Sequence, residues 1–237
     1  MEKFDLVVIG AGPSGYAAAM RALDFKKKTL LIEKSRVGGA GVTNGALSSK
    51  TWWELSREAS SFRKNLKRFN IQAPNFDYKE IQEEVRKAID ERKDMLEDHM
   101  RQMQDSRHAH LLAFKKGTAR LLSQNEIEIT SGTKREKIWT ENIILATGSR
   151  PRYLPELPID EKIVMTSDGI ENMEDFPESM VIVGAGVIGC EYATIFSGFG
   201  KTKVHLIDKG DRILPFEDED VVKVVERNME NSVVLIH

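Results

Sequence analysis

The chain has 237 residues and one cysteine, Cys190, so no internal disulfide can form. A lone thiol fits a reducing compartment, and a cytoplasmic protein is expected. Histidine is almost as scarce. The five histidines are scattered, and His108 and His110, two positions apart, would diverge on a helix. No metal site is expected from such spacing. Charge of one sign is also missing: 35 Lys and Arg stand against 37 Asp and Glu, a net charge of -2. Neither sign pools on one stretch, which argues against nucleic acid or an anionic membrane as a partner. No apolar run approaches the roughly 20 residues that cross a bilayer. The opening "FDLVVIG" is too short for a signal peptide's apolar core, and glycines follow it instead of a cleavage site.

What is present is ordinary for a folded protein: 41% hydrophobic residues, in a chain long enough for one large or two modest domains. The clearest feature is an internal repeat. "FDLVVIGAGPSGYAAAM…KKTLLIEK" and "SMVIVGAGVIGCEYATI…TKVHLIDK" share one plan: an unbroken apolar run, a glycine turn, a small-residue helix, then a second apolar run ending in an acid. Unbroken Val/Ile/Leu runs read as parallel strands covered on both faces. The repeat therefore predicts an α/β fold with two doubly wound nucleotide-binding domains.

Between the repeats, "SSKTWWELSREASSFRKNLKRF" predicts a helix from Ser48 or Ser49, with Trp52, Leu55, Ala59, Phe62 and Leu66 at helical spacing. A second helix follows "NFDYKE", where Asp77 and Glu80 resemble a capping box. Its apolar positions Ile81, Val85, Ala88, Met95 and Met103 keep one face, and the dense charge around them reads as a solvated surface. From Gly117 onward the pattern predicts short strands with a turn at Ser131–Gly132. The proline-containing "SRPRYLPELP" reads as a linker between domains. Beyond Asp208 there is pattern for about one helix and the start of a strand, so the second domain is expected to be incomplete, broken off early.

Each repeat carries G-x-G-x-x-G between a strand and a helix, the context that gives the motif meaning. In the first, Gly10 allows the tight turn, Gly12 the close approach of a pyrophosphate, and Gly15 the packing of helix on strand. The helix N-terminus, with Pro13 and Ser14 in its first turn, offers amide donors and a positive dipole end to phosphate. Glu33 closes the second strand, about 20 residues on, where a carboxylate can bind ribose hydroxyls. The second fingerprint spans Gly184, Gly186, Val187, Ile188 and Gly189, and its acid is Asp208. An acid there favours a free 2′-hydroxyl, hence NAD(H) over NADP(H), although Lys209 sits beside it.

The order of "VVIGAGPSG", "EK…GG", "SK", "ILATGSRP" and "VGAGVIGCEYA" resembles the flavin-dependent pyridine nucleotide-disulfide oxidoreductases, chiefly the dihydrolipoamide dehydrogenases and soluble pyridine nucleotide transhydrogenases. The resemblance implies that residues 1–150 form an FAD-binding domain. Residues 151–237 would be the N-terminal part of a nested NAD(H)-binding domain. It adds Lys34, Gly39, Lys50, Ala119, Thr147 and Gly148 to the expected cofactor contacts, Ala119 through its backbone. It also implies Lys50 and Glu191 as a catalytic pair: a lysine near the reactive edge of the flavin and the acid that makes burying that cation tolerable.

The family's two redox cysteines fall at Gly41 and Ala46, and its usual proline before the Ser-Lys pair falls at Ser48. Transhydrogenase-like members keep one cysteine; this chain keeps neither. A thiolate is needed both to take electrons from reduced flavin and to attack a disulfide, so disulfide reduction by the family's route is excluded. Cys190, inside a small-residue helix, reads as a packing residue.

The resulting expectation is an FAD- and NAD(P)H-dependent oxidoreductase that passes electrons to a second small-molecule acceptor without a redox disulfide. A related flavin- or NAD-binding protein with no activity is the alternative, and an NAD dehydrogenase without flavin a third reading. The resemblance also implies a homodimer for the full-length protein. The family's later residues, including its His-Glu base, fall outside this sequence; His237 is not that histidine.

Overall fold

The computed structural model describes residues 1–69, 76–105, 109–232 and 234–237. His108 and the first residue of "NFDYKE" lie outside the described residues. Two compact units divide the chain: Met1–Ala46 with Ile89–Arg152, and Leu47–Ala88 with Tyr153–His237. One division falls at Arg152–Tyr153, inside the expected linker. The stretch from Leu47 to Ala88, which the sequence reading places in the first domain, clusters with the second unit instead. Its fully buried Trp52 packs against Phe196 and Phe199 of that unit.

The first unit opens with β1 (Glu2–Ile9), α1 (Pro13–Asp24) and β2 (Thr29–Glu33), then a short α2 (Gly39–Thr43). Two long helices follow, α3 (Ala46–Arg68) and α4 (Tyr78–Asp105). The latter returns the chain to β3 (Leu112–Lys116), β4 (Thr118–Leu121), β5 (Glu126–Ser131) and β6 (Lys134–Leu145). The sheet runs β3-β2-β1-β6-β5-β4. Strands β3, β2, β1 and β6 are parallel, while β6, β5 and β4 form an antiparallel meander. One face buries Phe4, Val7, Leu30, Ile127 and Ile138, with Ala119 against them. The other buries Val8, Leu31 and Met100, with Ala19 of α1.

The second unit contains α3 from Leu47, the Tyr78–Ala88 part of α4, a 3-10 turn (Ser167–Asn172), β7 (Ser179–Val183), α5 (Val187–Phe199), β8 (Lys203–Ile207), α6 (Glu219–Asn231) and β9 (Val234–Ile236). Its three strands are parallel in the order β7-β8-β9. Trp52 lies within 6.5 Å, ring to ring, of Tyr78, Phe196 and Phe199. Such aromatic pairs add about 0.5–1.5 kcal/mol each beyond the area they bury. Among the described residues, no helix is long and apolar enough to cross a membrane.

Local chemistry sets the helix ends. Asp77 accepts from the backbone N–H of Lys79 (2.8 Å) and Glu80 (3.4 Å), as an N-cap should. Helix α3 starts at Ala46, two residues before the expected serines. The hairpin turn centres on Gly132 and Thr133, one residue later than expected: Gly132 takes the positive φ of 59°, and Ser131 still pairs with Lys134.

Candidate functional site

In the first unit the fingerprint stands at the end of β1. Gly10 has φ 104°, and a Cβ there would lie 2.2 Å from the Ala146 carbonyl oxygen. Only glycine lets β1 and the "LATG" end of β6 meet this closely. Gly15 is closed off in the same way, its added Cβ falling 1.9 Å from the Gly10 carbonyl. Gly12 is the opposite. A Cβ there would meet nothing within 4 Å, and no side chain caps α1, whose first position is Pro13. Open space thus lies before a helix N-terminus whose first-turn amides have no side-chain acceptor.

Glu33 accepts the Ala11 N–H on Oε2 and the Ser35 N–H on Oε1, both at 2.7 Å. The acid therefore ties the end of β2 to the glycine turn and keeps a lone pair on each oxygen for a further donor. Gly39 packs on the fingerprint, an added Cβ meeting Gly12 Cα at 3.0 Å. Gly117 donates to the Glu33 carbonyl at 2.9 Å, bringing the start of β4 to the end of β2. Ser14, Lys34, Thr147 and Gly148 are exposed. Thr147 and Gly148 follow β6 directly, and the Thr147 amide nitrogen lies 3.3 Å from the Cβ position of Gly10. Ala119 is on β4, opposite Ile129, with its side chain turned to the core.

The second unit repeats this geometry. Gly184 has φ 108°, and a Cβ on Gly189 would lie 1.8 Å from the Gly184 carbonyl. Gly186 leaves open space and α5 carries no side-chain cap. Val187 and Ile188 stand exposed on its first turn. Asp208 accepts the Ala185 N–H at 2.7 Å and the Gly210 N–H at 2.8 Å. Those backbone donors hold its carboxyl below the usual carboxylate range, so it stays ionised at neutral pH. Sequence spacing located both acids but not their amide partners, Ala11 and Ala185, which only the fold supplies.

Lys50 and Glu191 come together as an ion pair within the second unit, across 141 positions of sequence. Lys50 rides the first turns of α3 with its side chain 63% exposed, so the cation is not buried as expected; the half of the pair that is largely covered is Glu191, on α5, 18% exposed. Ser49 donates its hydroxyl to the same oxygen, Glu191 Oε1, at 3.0 Å. The two helices are seamed further along. Ser56 donates to the Ile195 carbonyl at 2.7 Å and Arg63 to that of Gly198 at 2.6 Å.

At the positions without sulfur, Gly41 packs so tightly that a Cβ would lie 2.5 Å from Pro13 Cγ. Ala46 begins α3 and is exposed. Cys190 is buried, its Sγ 3.4 Å from the Ala185 carbonyl. Burial pushes its thiol up to about 11, helped by the nearby Asp208 charge. It is a packing thiol, protonated at neutral pH.

Two glycine turns, each leading into an uncapped helix N-terminus with an acid at the end of the next strand, define a Rossmann-like α/β protein of dinucleotide-binding type. The chain matches the Pyridine nucleotide-disulphide oxidoreductase family over residues 4–237 and belongs to it. FAD and NAD(P) are the cofactors that family uses. A dihydrolipoyl dehydrogenase of Bacillus subtilis is 31% identical over 98% of this chain and 50% of its own length. A soluble pyridine nucleotide transhydrogenase of Hahella chejuensis is 34% identical over 99% of this chain and 49% of its own. The chain thus spans about half the length of the curated relatives it matches. Among solved structures, LpdA of Mycobacterium tuberculosis superposes with a TM-score of 0.85 at 21% identity, covering 100% of this chain and 51% of that one. The HOCl-induced flavoprotein disulfide reductase RclA of Escherichia coli, as its Cu(II) complex, gives 0.78 at 21% identity, covering 100% and 49%. These structural likenesses concern the fold.

Proposed function

We propose that this protein is a flavin-dependent NADH oxidoreductase that delivers electrons to a small-molecule acceptor without a redox disulfide. The observation that carries the reading is the Lys50–Glu191 ion pair in a chain with no sulfur at positions 41 and 46. Both cradles suit a dinucleotide, since open space lies before Gly12 and Gly186. FAD, held by the first cradle, would supply two-electron chemistry, accepting a hydride equivalent from NADH and releasing two electrons to an acceptor.

The chain's own groups bind, orient and balance charge. The first turn of α1 offers its amides to the FAD pyrophosphate, and Glu33 offers carboxylate oxygens to the ribose. In the second unit α5 and the ionised Asp208 do the same for NADH; a 2′-phosphate would meet repulsion from Asp208. By the family resemblance the Lys50 ammonium would balance negative charge arriving on the flavin, and the Glu191 carboxylate, its ion-pair partner, would keep that cation oriented. The carboxyl of Glu171 is pushed up by burial, toward the neutral form, with the Ser48 hydroxyl opposing.

The test is anaerobic titration of the flavin-loaded protein with NADH. Loss of the visible flavin absorbance, with no thiolate-to-flavin charge-transfer band, is the expected result. Flavin that NADH fails to bleach overturns the proposal, and a colourless protein would favour an NAD dehydrogenase.

A further inference from the structure

We infer that Ser49 is a positioning residue that holds the Glu191 carboxylate on Lys50. The inference deepens the proposed function and rests on it for its catalytic meaning. A lysine–carboxylate pair at a helix end has many ways to form, because the ammonium is a compact charge on a four-carbon stem with three equivalent donors. Such a pair on its own fixes the position of neither group. Lys50, 63% exposed along its side chain, is the loose member.

Ser49 changes this. It is 5% exposed and has one short, rotamer-limited side chain, and it donates to Glu191 Oε1 at 3.0 Å, the same oxygen that receives Lys50 Nζ. Two consecutive residues of one helix thus grip one carboxylate oxygen, and the buried, shorter donor defines where that oxygen sits. The grip is anchored by the contacts that follow it along both helices. Trp52, two residues after Lys50, is fully buried among Phe196 and Phe199 of α5. Ser56 donates to the Ile195 carbonyl one turn beyond Glu191. A hydrogen bond to an ionised acceptor is among the stronger neutral-to-charge contacts a side chain can make. Ser48, equally buried, faces the Glu171 carboxyl instead. The two serines have separate partners, and that supplies an internal control.

The test has two readouts on the full-length, flavin-loaded protein: reductive methylation of Lys50, followed by peptide mass spectrometry, and the rate constant for flavin reduction by NADH. With Ser49→Ala, Glu191 swings away, Lys50 is methylated several-fold faster, and flavin reduction slows about tenfold, the order set by one lost charge-assisted hydrogen bond. Ser49→Thr, which keeps the hydroxyl, restores both values toward those of the parent. Ser48→Ala leaves Lys50 methylation unchanged. If Ser49→Ala methylates like the parent, or Ser48→Ala accelerates methylation as much, the inference fails and Ser49 is a packing residue. Failure of the wider reading shows separately: Lys50→Ala would then leave flavin reduction unaltered, whatever the methylation rates.

Discussion

Gly41 stands where the family's first redox cysteine aligns, and the space a side chain would need there is already filled by the Pro13 ring. A Cβ 2.5 Å from Pro13 Cγ forces either α2 or the first turn of α1 to move. Gly41→Ala should therefore cost about 1–3 kcal/mol, the usual penalty for overpacking. Thermal unfolding would register this as a drop of several degrees. Pro13→Ala in the same chain should return part of the loss, and a melting point that ignores both changes would show that the ring is free to move. By the same contact, writing cysteines back at positions 41 and 46 is expected to yield a less stable protein without disulfide reductase activity. Cys190 offers no substitute. With its thiol pushed up to about 11, it is protonated at pH 7, and the thiolate fraction grows only as pH approaches that value. Iodoacetamide should accordingly label Cys190 slowly in the native protein at pH 7 and rapidly after unfolding. Fast native labelling would contradict the buried placement.

At the scale of elements, the repeat allows one experiment to be run twice. Gly15 and Gly189 occupy the same place in α1 and α5, and an added Cβ meets a carbonyl oxygen at 1.9 Å and 1.8 Å respectively. Backbone cannot yield as a flexible side chain does, so either alanine pushes its helix off its strand. Gly15→Ala is expected to give protein that purifies with little flavin. Gly189→Ala should keep the yellow colour and raise the NADH concentration needed to bleach it by more than tenfold, a change of about 1.4 kcal/mol or more. Loss of flavin from Gly189→Ala alone would reverse the assignment of the two cradles. The elements carrying these glycines were legible because each strand–turn–helix–strand is local, and its apolar runs need no distant partner to be recognised. Other elements were not. Strand β3, five residues long, pairs with β2 across a gap filled by α2, α3 and α4, and "LAFKK" has no periodicity to separate it from a helix end. Apolar spacing predicts helix α3 but not the unit it joins, because Trp52 and Ser56 find their partners only once α5 is in place. The Lys50–Glu191 pair came from family resemblance; no rule of spacing links residues 141 apart. Ser49 belongs to a Ser-Lys motif in the sequence, but its acceptor, Glu191 Oε1, is supplied by the fold.

For the molecule as a whole, what matters is where electrons can go. Under the proposed function two enter with a hydride from NADH, and the family's relay would move them onto sulfur. In this chain that relay has no atoms: position 41 is glycine, position 46 is alanine, and the remaining sulfhydryl is buried and protonated. Methionine thioethers cannot accept them reversibly in a thiol–disulfide cycle. Under the proposed function electrons leave from the cofactor directly to an acceptor that reaches it, so quinones, dyes and oxygen are the expected acceptors and a disulfide served through positions 41 and 46 is not. The consequence is a pattern of inhibition as well as of substrates. Trivalent arsenicals capture a pair of neighbouring thiols exposed by reduction, and they stop enzymes that cycle through such a pair. Under the proposed function, NADH turnover with a quinone or dye should continue undiminished after the reduced protein is treated with arsenite, and a dithiol-type disulfide should not be turned over. Arsenite inhibition that develops only after NADH is added would mean a reducible thiol pair takes part in the cycle, and the sulfur-free route would have to be abandoned. Undiminished turnover, combined with loss of flavin reduction in Lys50→Ala, would place the electron path on the cofactor, with Lys50 balancing its charge.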